Sequence, residues 1–239
     1  VSRPRRALPR IAALGAVLLA AALALPAAAD TMRERMDAGD RALAAGRYDA
    51  AREAYRAVLR AQPRNREAMR RLGAADLADG RLEDAFSTLQ TLRVLAPEDA
   101  GVRLSLARVY REAGLADRER RALLEAIRLD PGMTEAHLGL ARAFVAAEEL
   151  FAAGSEYAWL IADADRAGRP PEPVVLFELA AVRERLGRPA DAARLLTRYL
   201  ALAPSGELAD RARAALARLP APKPAAAPGP PAAEPGAAP

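Results

Sequence analysis

Gly46, Gly80 and Gly114 stand 34 residues apart, and Pro63, Pro97 and Pro131 keep the same step. Two kinds of helix-breaking residue at one fixed period define an internal repeat, and a repeat constrains the fold more than any other sequence feature. Gly187 and Pro204 resume the series after a gap of 73 residues, two periods plus five. The chain is therefore a stack of near-identical units.

Each unit reads as two short helices. Between Arg66 and Asp99, Met69, Leu72, Gly73, Asp76 and Leu77 recur at helical spacing. Gly80 ends that helix, because glycine takes a left-handed stop without a Cβ clash. Leu82, Ala85, Phe86, Leu89 and Leu92 give a second stripe, and Pro97 closes the unit. Small residues hold one register on the first helices, at Gly39, Gly73, Ala107, Ala141 and Ala180. They hold another on the second helices, at Ala51, Ala85, Ala153 and Ala192. Side chains no larger than methyl let two antiparallel helices approach closely. Glu119 interrupts the second set, which predicts looser packing or a local reorientation in the third unit.

These positions resemble the tetratricopeptide repeat (TPR). Unit one matches that pattern at Gly39, Gly46, Tyr48, Ala51, Tyr55 and Pro63, and unit two at Leu72, Gly73, Gly80, Ala85 and Pro97. Unit three matches at Leu106, Ala107, Tyr110, Gly114, Ala126 and Pro131, and unit five at Leu179, Ala180, Gly187, Ala192, Tyr199 and Pro204. Unit four keeps Leu140, Ala141, Phe144, Ala153 and Tyr157, but Glu148 replaces the loop glycine and Asp165 the closing proline. The resemblance implies an all-α, right-handed superhelical solenoid. Its units are 32–65, 66–99, 100–133, 134–167 and 173–206, followed by a capping helix over 207–219. The excess residues, 168–172, are either a tolerated loop insertion or a bend that re-aims unit five.

The ends do not belong to this pattern. Arg3, Arg5, Arg6 and Arg10 precede an apolar run from Ile11 to Leu25, then Ala27, Ala28 and Ala29 ahead of Asp30. Basic start, apolar middle and small-residue end are the parts of a secretory signal. Residues 1–29 are expected to be a cleavable signal peptide cut after Ala29, placing the product in the bacterial periplasm or outside the cell. The apolar run is short for a bilayer span, which needs about 20 residues, so no membrane insertion is expected after signal removal; retention as an anchor is the alternative. With no cysteine in the chain, disulfides play no part in stability. Residues 220–239 hold eight prolines and eight alanines, and are expected to form a disordered tail that is either simply solvated or a spacer.

The formal charge of +5 does not mark a nucleic-acid protein. Four of the 36 basic residues lie in the leader, leaving 32 against 31 acidic ones. No basic stripe interleaved with aromatics appears, so a nucleic-acid partner is not expected.

No catalytic set or cofactor site emerges. His137 is the only histidine, so zinc sets and His-dependent triads cannot be assembled within one chain. His137 occupies a position that takes a bulky packing residue in TPR units, and Trp159 reads as core. The acidic pair Glu148–Glu149 falls on the unit-four loop and reads as an exposed turn.

In TPR proteins the first helices line a concave face. Carried over, the candidate peptide-binding side chains on that face are Arg70, Leu104, Arg108 and Arg111 in units two and three, and Leu138, Arg142, Val145 and Phe177 in units four and five. The arginines would hold carboxylates of a peptide and the apolar side chains its anchors, or the arginines merely solubilise the face. The resemblance thus implies a non-enzymatic adaptor binding segments of partner proteins, in assembly of an envelope complex. A self-associating structural protein, or a glycan-binding or enzyme-accessory module, are the alternatives.

Overall fold

A computed structural model describes residues 31–219; the expected leader and tail lie outside the described residues. Among the described residues there are eleven helices and no strand. They alternate as first and second helices: α1 (31–44) with α2 (Tyr48–Ala61), α3 (Arg66–Ala78) with α4 (Leu82–Leu95), and α5 (Ala100–Glu112) with α6 (Ala116–Leu129). Then come α7 (Thr134–Ala146) with α8 (Leu150–Arg166), α9 (Pro173–Arg185) with α10 (Pro189–Leu202), and finally α11 (Glu207–Arg218). This is the all-α repeat architecture that the 34-residue period requires. Contacts divide the chain into two bodies, one ending at Gly132 and the other beginning at Met133.

Local chemistry sets the helix ends. Asn65 accepts a hydrogen bond on its side chain from the Ala68 N–H at 2.9 Å, capping α3, and Asp99 caps α5 through the Val102 N–H at 3.3 Å. These caps satisfy N–H groups that have no partner within the helix. The second helices α2, α4, α6 and α10 stop just ahead of Pro63, Pro97, Pro131 and Pro204 respectively. Unit four has no such proline, and α8 accordingly runs on to Arg166, 17 residues against 14 for the other second helices.

Within a pair, the small positions are closed to anything larger. A Cβ added at Gly39 would lie 2.4 Å from the Tyr55 ring, and one at Gly73 would lie 2.9 Å from Leu89. Tyr55 is fully buried, and its hydroxyl donates to Asp40 at 2.8 Å. In unit three, Ala107, Ala122, Leu123 and Ala126 are all buried around Glu119, itself only 8% exposed. The pair stays closed there, and the carboxylate is taken into the interface rather than prising it apart. Burial pushes the Glu119 carboxyl up from its ordinary range.

The cores straddle pairs. Met69 of α3 and Leu89 and Leu92 of α4 pack with Val102, Leu106 and Val109 of α5. In the second body Ala141 of α7, Tyr157 and Leu160 of α8, and Val175, Leu179 and Val182 of α9 form one cluster. Ala209 and Ala212 of α11 bury against Leu176, Leu196 and Tyr199. Burying a leucine-sized side chain is worth about 1.5–3 kcal/mol, so each pair depends on the next to cover its apolar face.

The first-to-second turns repeat one conformation, with Gly46, Gly80, Gly114 and Gly187 at φ between +67 and +73°. Unit four places Glu148 there at φ +60°, the one non-glycine residue with positive φ among those described. A Cβ-bearing residue in that region costs about 1–2 kcal/mol. Its carboxylate pairs with Arg185, but the Glu148 side chain is three-quarters exposed, so the pair offsets little. Glu148→Gly is expected to raise the unfolding free energy by about 1 kcal/mol, measured as a higher urea midpoint at unchanged m-value.

Candidate binding faces

The first helices of units two and three lie in the first body. On α3, Arg70 is held by two carboxylates, Glu67 and Asp99, each at 2.5 Å. Asp99 divides its work, with Oδ1 capping α5 and Oδ2 accepting from Arg70. Arg70 therefore joins α3 to the start of α5. On α5, Leu104 is half-buried and Arg108 is exposed. Arg111 is exposed, pairs with its neighbour Glu112 at 3.1 Å, and its charge also acts on Glu119 of α6. The face on α5 thus offers an apolar contact and two accessible guanidiniums.

The remaining four residues lie in the second body. Arg142 of α7 makes a two-pronged contact with Glu178 of α9, Nε to Oε2 at 3.0 Å and Nη2 to Oε1 at 2.8 Å. The buried Tyr157 hydroxyl donates to the same carboxylate at 2.9 Å. Burial and the Glu178 charge both push the Tyr157 phenol upward, so it remains a proton donor throughout the physiological range. Leu138 is half-buried and lines a cleft of about 90 Å³ with Leu160, Pro171, Val175, Glu135 and Glu172. The connector residues Pro171 and Glu172 form one wall of that cleft. Val145 packs against the α7–α9 core. Phe177 lies 5.7 Å from the Tyr199 ring, and the Arg211 guanidinium of α11 sits over it at 5.4 Å.

The eight residues therefore fall into two kinds. Arg108, Arg111 and Leu104 face accessible space, whereas Arg70, Leu138, Arg142, Val145 and Phe177 are engaged with neighbouring helices, Leu138 also lining the small cleft. Sequence reasoning did not find Asp99 and Glu178 as the partners of Arg70 and Arg142. Asp99 had a signal, standing at the cap position before α5; Glu178 had none.

Two buried polar sites lie beneath these faces. His137 stacks on Trp159, ring centroids 3.6 Å apart at 17°, and its Nδ1 lies 2.7 Å from Glu156 Oε2. That is a packing role, as its position in the repeat predicts. Asp76 is 1% exposed, and neither carboxylate oxygen has a hydrogen-bond partner. Its nearest guanidinium contact is Arg52 Nε at 3.7 Å. Burial raises the Asp76 pKa, outweighing the attraction of Arg56 and Arg52.

Among the described residues no group of three or more His, Cys, Asp or Glu is arranged to hold a metal ion, and no helix is long and apolar enough to cross a membrane. The family model described as "Tetratricopeptide repeat" matches residues 36–100 and 87–134. No curated protein sequence matches the chain. Among solved structures, the chain resembles TTC0263, a TPR protein of Thermus thermophilus, at TM-score 0.59 and 24% identity, over 78% of this chain and 99% of that one. It also resembles Pseudomonas aeruginosa PilF at TM-score 0.66 and 15% identity, over 79% of this chain and 88% of that one. A third likeness is to YrrB, described as "a TPR protein with an unusual peptide-binding site", at TM-score 0.58 and 14% identity, over 75% and 90% of the two chains.

Two substitutions separate tethering from exposure. Glu178→Ala removes the acceptor of a buried hydroxyl and is expected to cost about 1–3 kcal/mol, whereas Arg142→Ala loses only a half-exposed pair, about 0–1 kcal/mol; urea denaturation reads both. Asp76 gives a pH signature. Its raised folded-state pKa means the folded protein binds that proton more readily than the unfolded chain does, so its charge destabilises the fold above the folded-state pKa. Asp76→Asn is expected to be more stable than the parent at pH 7, with the gain shrinking as pH falls through the raised pKa toward 3.8, its ordinary value.

Proposed function

We propose, from the premise that this chain is a tetratricopeptide repeat protein, that it is an adaptor whose first-helix faces hold segments of partner proteins. The observation that carries this reading is the face of α5. Arg108 and Arg111 project from it without an ion pair to another helix among the described residues, beside half-buried Leu104. A guanidinium fork matches a carboxylate in shape, so an acidic segment with an apolar residue is the natural occupant. Exposed pairs give about 0–1 kcal/mol each, and micromolar affinity needs about 8 kcal/mol. Most of the binding must therefore come from apolar burial, and the arginines orient the segment.

The finer reading places this adaptor in the bacterial periplasm or outside the cell, serving the assembly of an envelope complex. Support for that location comes from the pattern of Arg3 to Ala29 in the sequence. The reading involves no catalysis. Its chemistry is reversible contact between side chains and a peptide.

The test starts from a peptide display library screened against the full chain, with the enriched peptides titrated by calorimetry. Arg108→Glu with Arg111→Glu is expected to weaken capture of acidic peptides by about tenfold or more, since two attractive pairs become repulsive. Unchanged affinity discards the α5 face as the site.

A further inference from the structure

A second basic site of the first body draws on α4, α5 and α6. Gln90 and Arg93 of α4, Arg103 and Tyr110 of α5, and Arg118 and Arg121 of α6 line an open cleft of about 270 Å³. Four guanidiniums meet there, and Glu125 is the sole carboxylate in the lining. Glu125 is committed to Arg103, whose Nε it accepts at 2.9 Å. The other three arginines face no carboxylate partner among the described residues. Arg93 donates to the neutral Gln90 amide at 2.7 Å, Arg121 to the Asp117 carbonyl at 3.2 Å, and Arg118 lies over the Tyr110 ring at 6.0 Å.

Arg103 adds an independent observation. It is only 8% exposed at the base of this cleft, where Nη2 donates to the Pro97 carbonyl at 3.0 Å, yet its Nη1 has no hydrogen-bond partner. A buried, incompletely satisfied cation close to three exposed cations is an unfavourable arrangement, because like charges gather around a guanidinium that water does not fully solvate. An anion in the cleft relieves it. Elsewhere in the same body arginines are neutralised by carboxylates from other helices or their caps, Arg52 by Asp79, Arg70 by Asp99 and Arg71 by Asp40.

Exposed apolar side chains in register on the same two helices say what kind of anion fits. Val94 stands one turn along α4 from Gln90 and is 74% exposed. Leu124 stands one turn along α6 from Arg121 and is 51% exposed. An inorganic anion neutralises the cleft but leaves these side chains in water. A peptide with two or more carboxylates and flanking apolar residues satisfies both. We propose that the cleft between α4 and α6 is a docking site for an acidic, apolar-bearing segment of a partner protein, separate from the first-helix face. It does not depend on the α5 face being a site.

The test uses the full chain and a fluorescein-labelled dodecapeptide alternating Glu with Leu, read by anisotropy. Added to the Arg108→Glu, Arg111→Glu background, Arg118→Glu with Arg121→Glu is expected to weaken binding tenfold or more. Arg108→Glu with Arg111→Glu, on the α5 face, is expected to leave at least a cleft-bound fraction that the first double variant removes. The milder Arg118→Gln with Arg121→Gln is expected to weaken binding about threefold, and serves should charge reversal disturb folding, which circular dichroism monitors. Full affinity in the Arg118/Arg121 variants overturns the proposal. Loss confined to the Arg108/Arg111 variant also overturns it, while leaving the first-helix reading intact. Tripolyphosphate displacing the peptide at equal concentration overturns the choice of occupant, since it lacks any group for Val94 and Leu124.

Discussion

Two helices of one repeat meet where there is no room for a side chain beyond hydrogen or methyl. That contact decides the rest. Because Gly39 and Gly73 admit Tyr55 and Leu89 against the backbone of the first helix, each pair closes tightly on one face only. The opposite apolar face stays uncovered until the next pair arrives, which is why the cores around Leu106 and Leu179 each draw on three helices. Stability in such a stack is a sum of near-neighbour terms. A helix of different character is then needed at the end, and α11 supplies Ala209 and Ala212 toward the stack while Arg211 and Arg213 remain exposed.

Once helices stack at a fixed step, charged side chains one repeat apart come within reach. The chain uses arginine for nearly all its positive charge, with Lys223 as the sole lysine. Guanidiniums then join neighbouring repeats, Arg71 to Asp40, Arg142 to Glu178 and Arg198 to Asp165, and Arg70 reaches Asp99 at the cap of α5. Each such pair is weak when exposed, but the geometry sorts the arginines. Some are consumed in aligning repeats. Others, such as Arg108 on α5 and Arg118 and Arg121 on α6, have no carboxylate from another helix among the described residues. The second group is where a partner's charge has something to meet.

Much of the architecture was legible in the sequence because period and punctuation are backbone properties. A proline or a loop glycine fixes a helix end whatever lies around it, and the extension of α8 follows from Asp165 standing where the other units have proline. Pairing was harder to read. A face assigned by register names the residues that point one way, but not which of them a neighbouring carboxylate neutralises. Arg142 and Arg108 hold the same register in successive units, yet one is bound to Glu178 and the other is not. Asp76 likewise occupies a position where other units place Ala42, Tyr110 or Phe144, and its register alone gives no account of a buried carboxylate. The cleft between α4 and α6 escaped notice because its arginines come from three helices that only stacking brings together.

The sorting of arginines into tethered and available sets is most directly examined by their own side-chain resonances. Nitrogen-15 spectra of the guanidinium Nη groups would be followed while a Glu/Leu peptide is titrated into the full chain. The account predicts that Arg70 and Arg142 give protected signals that do not move, while Arg108, Arg118 and Arg121 exchange rapidly and shift as the peptide binds. Shifts at Arg70 and Arg142 with Arg108, Arg118 and Arg121 unmoved would contradict it.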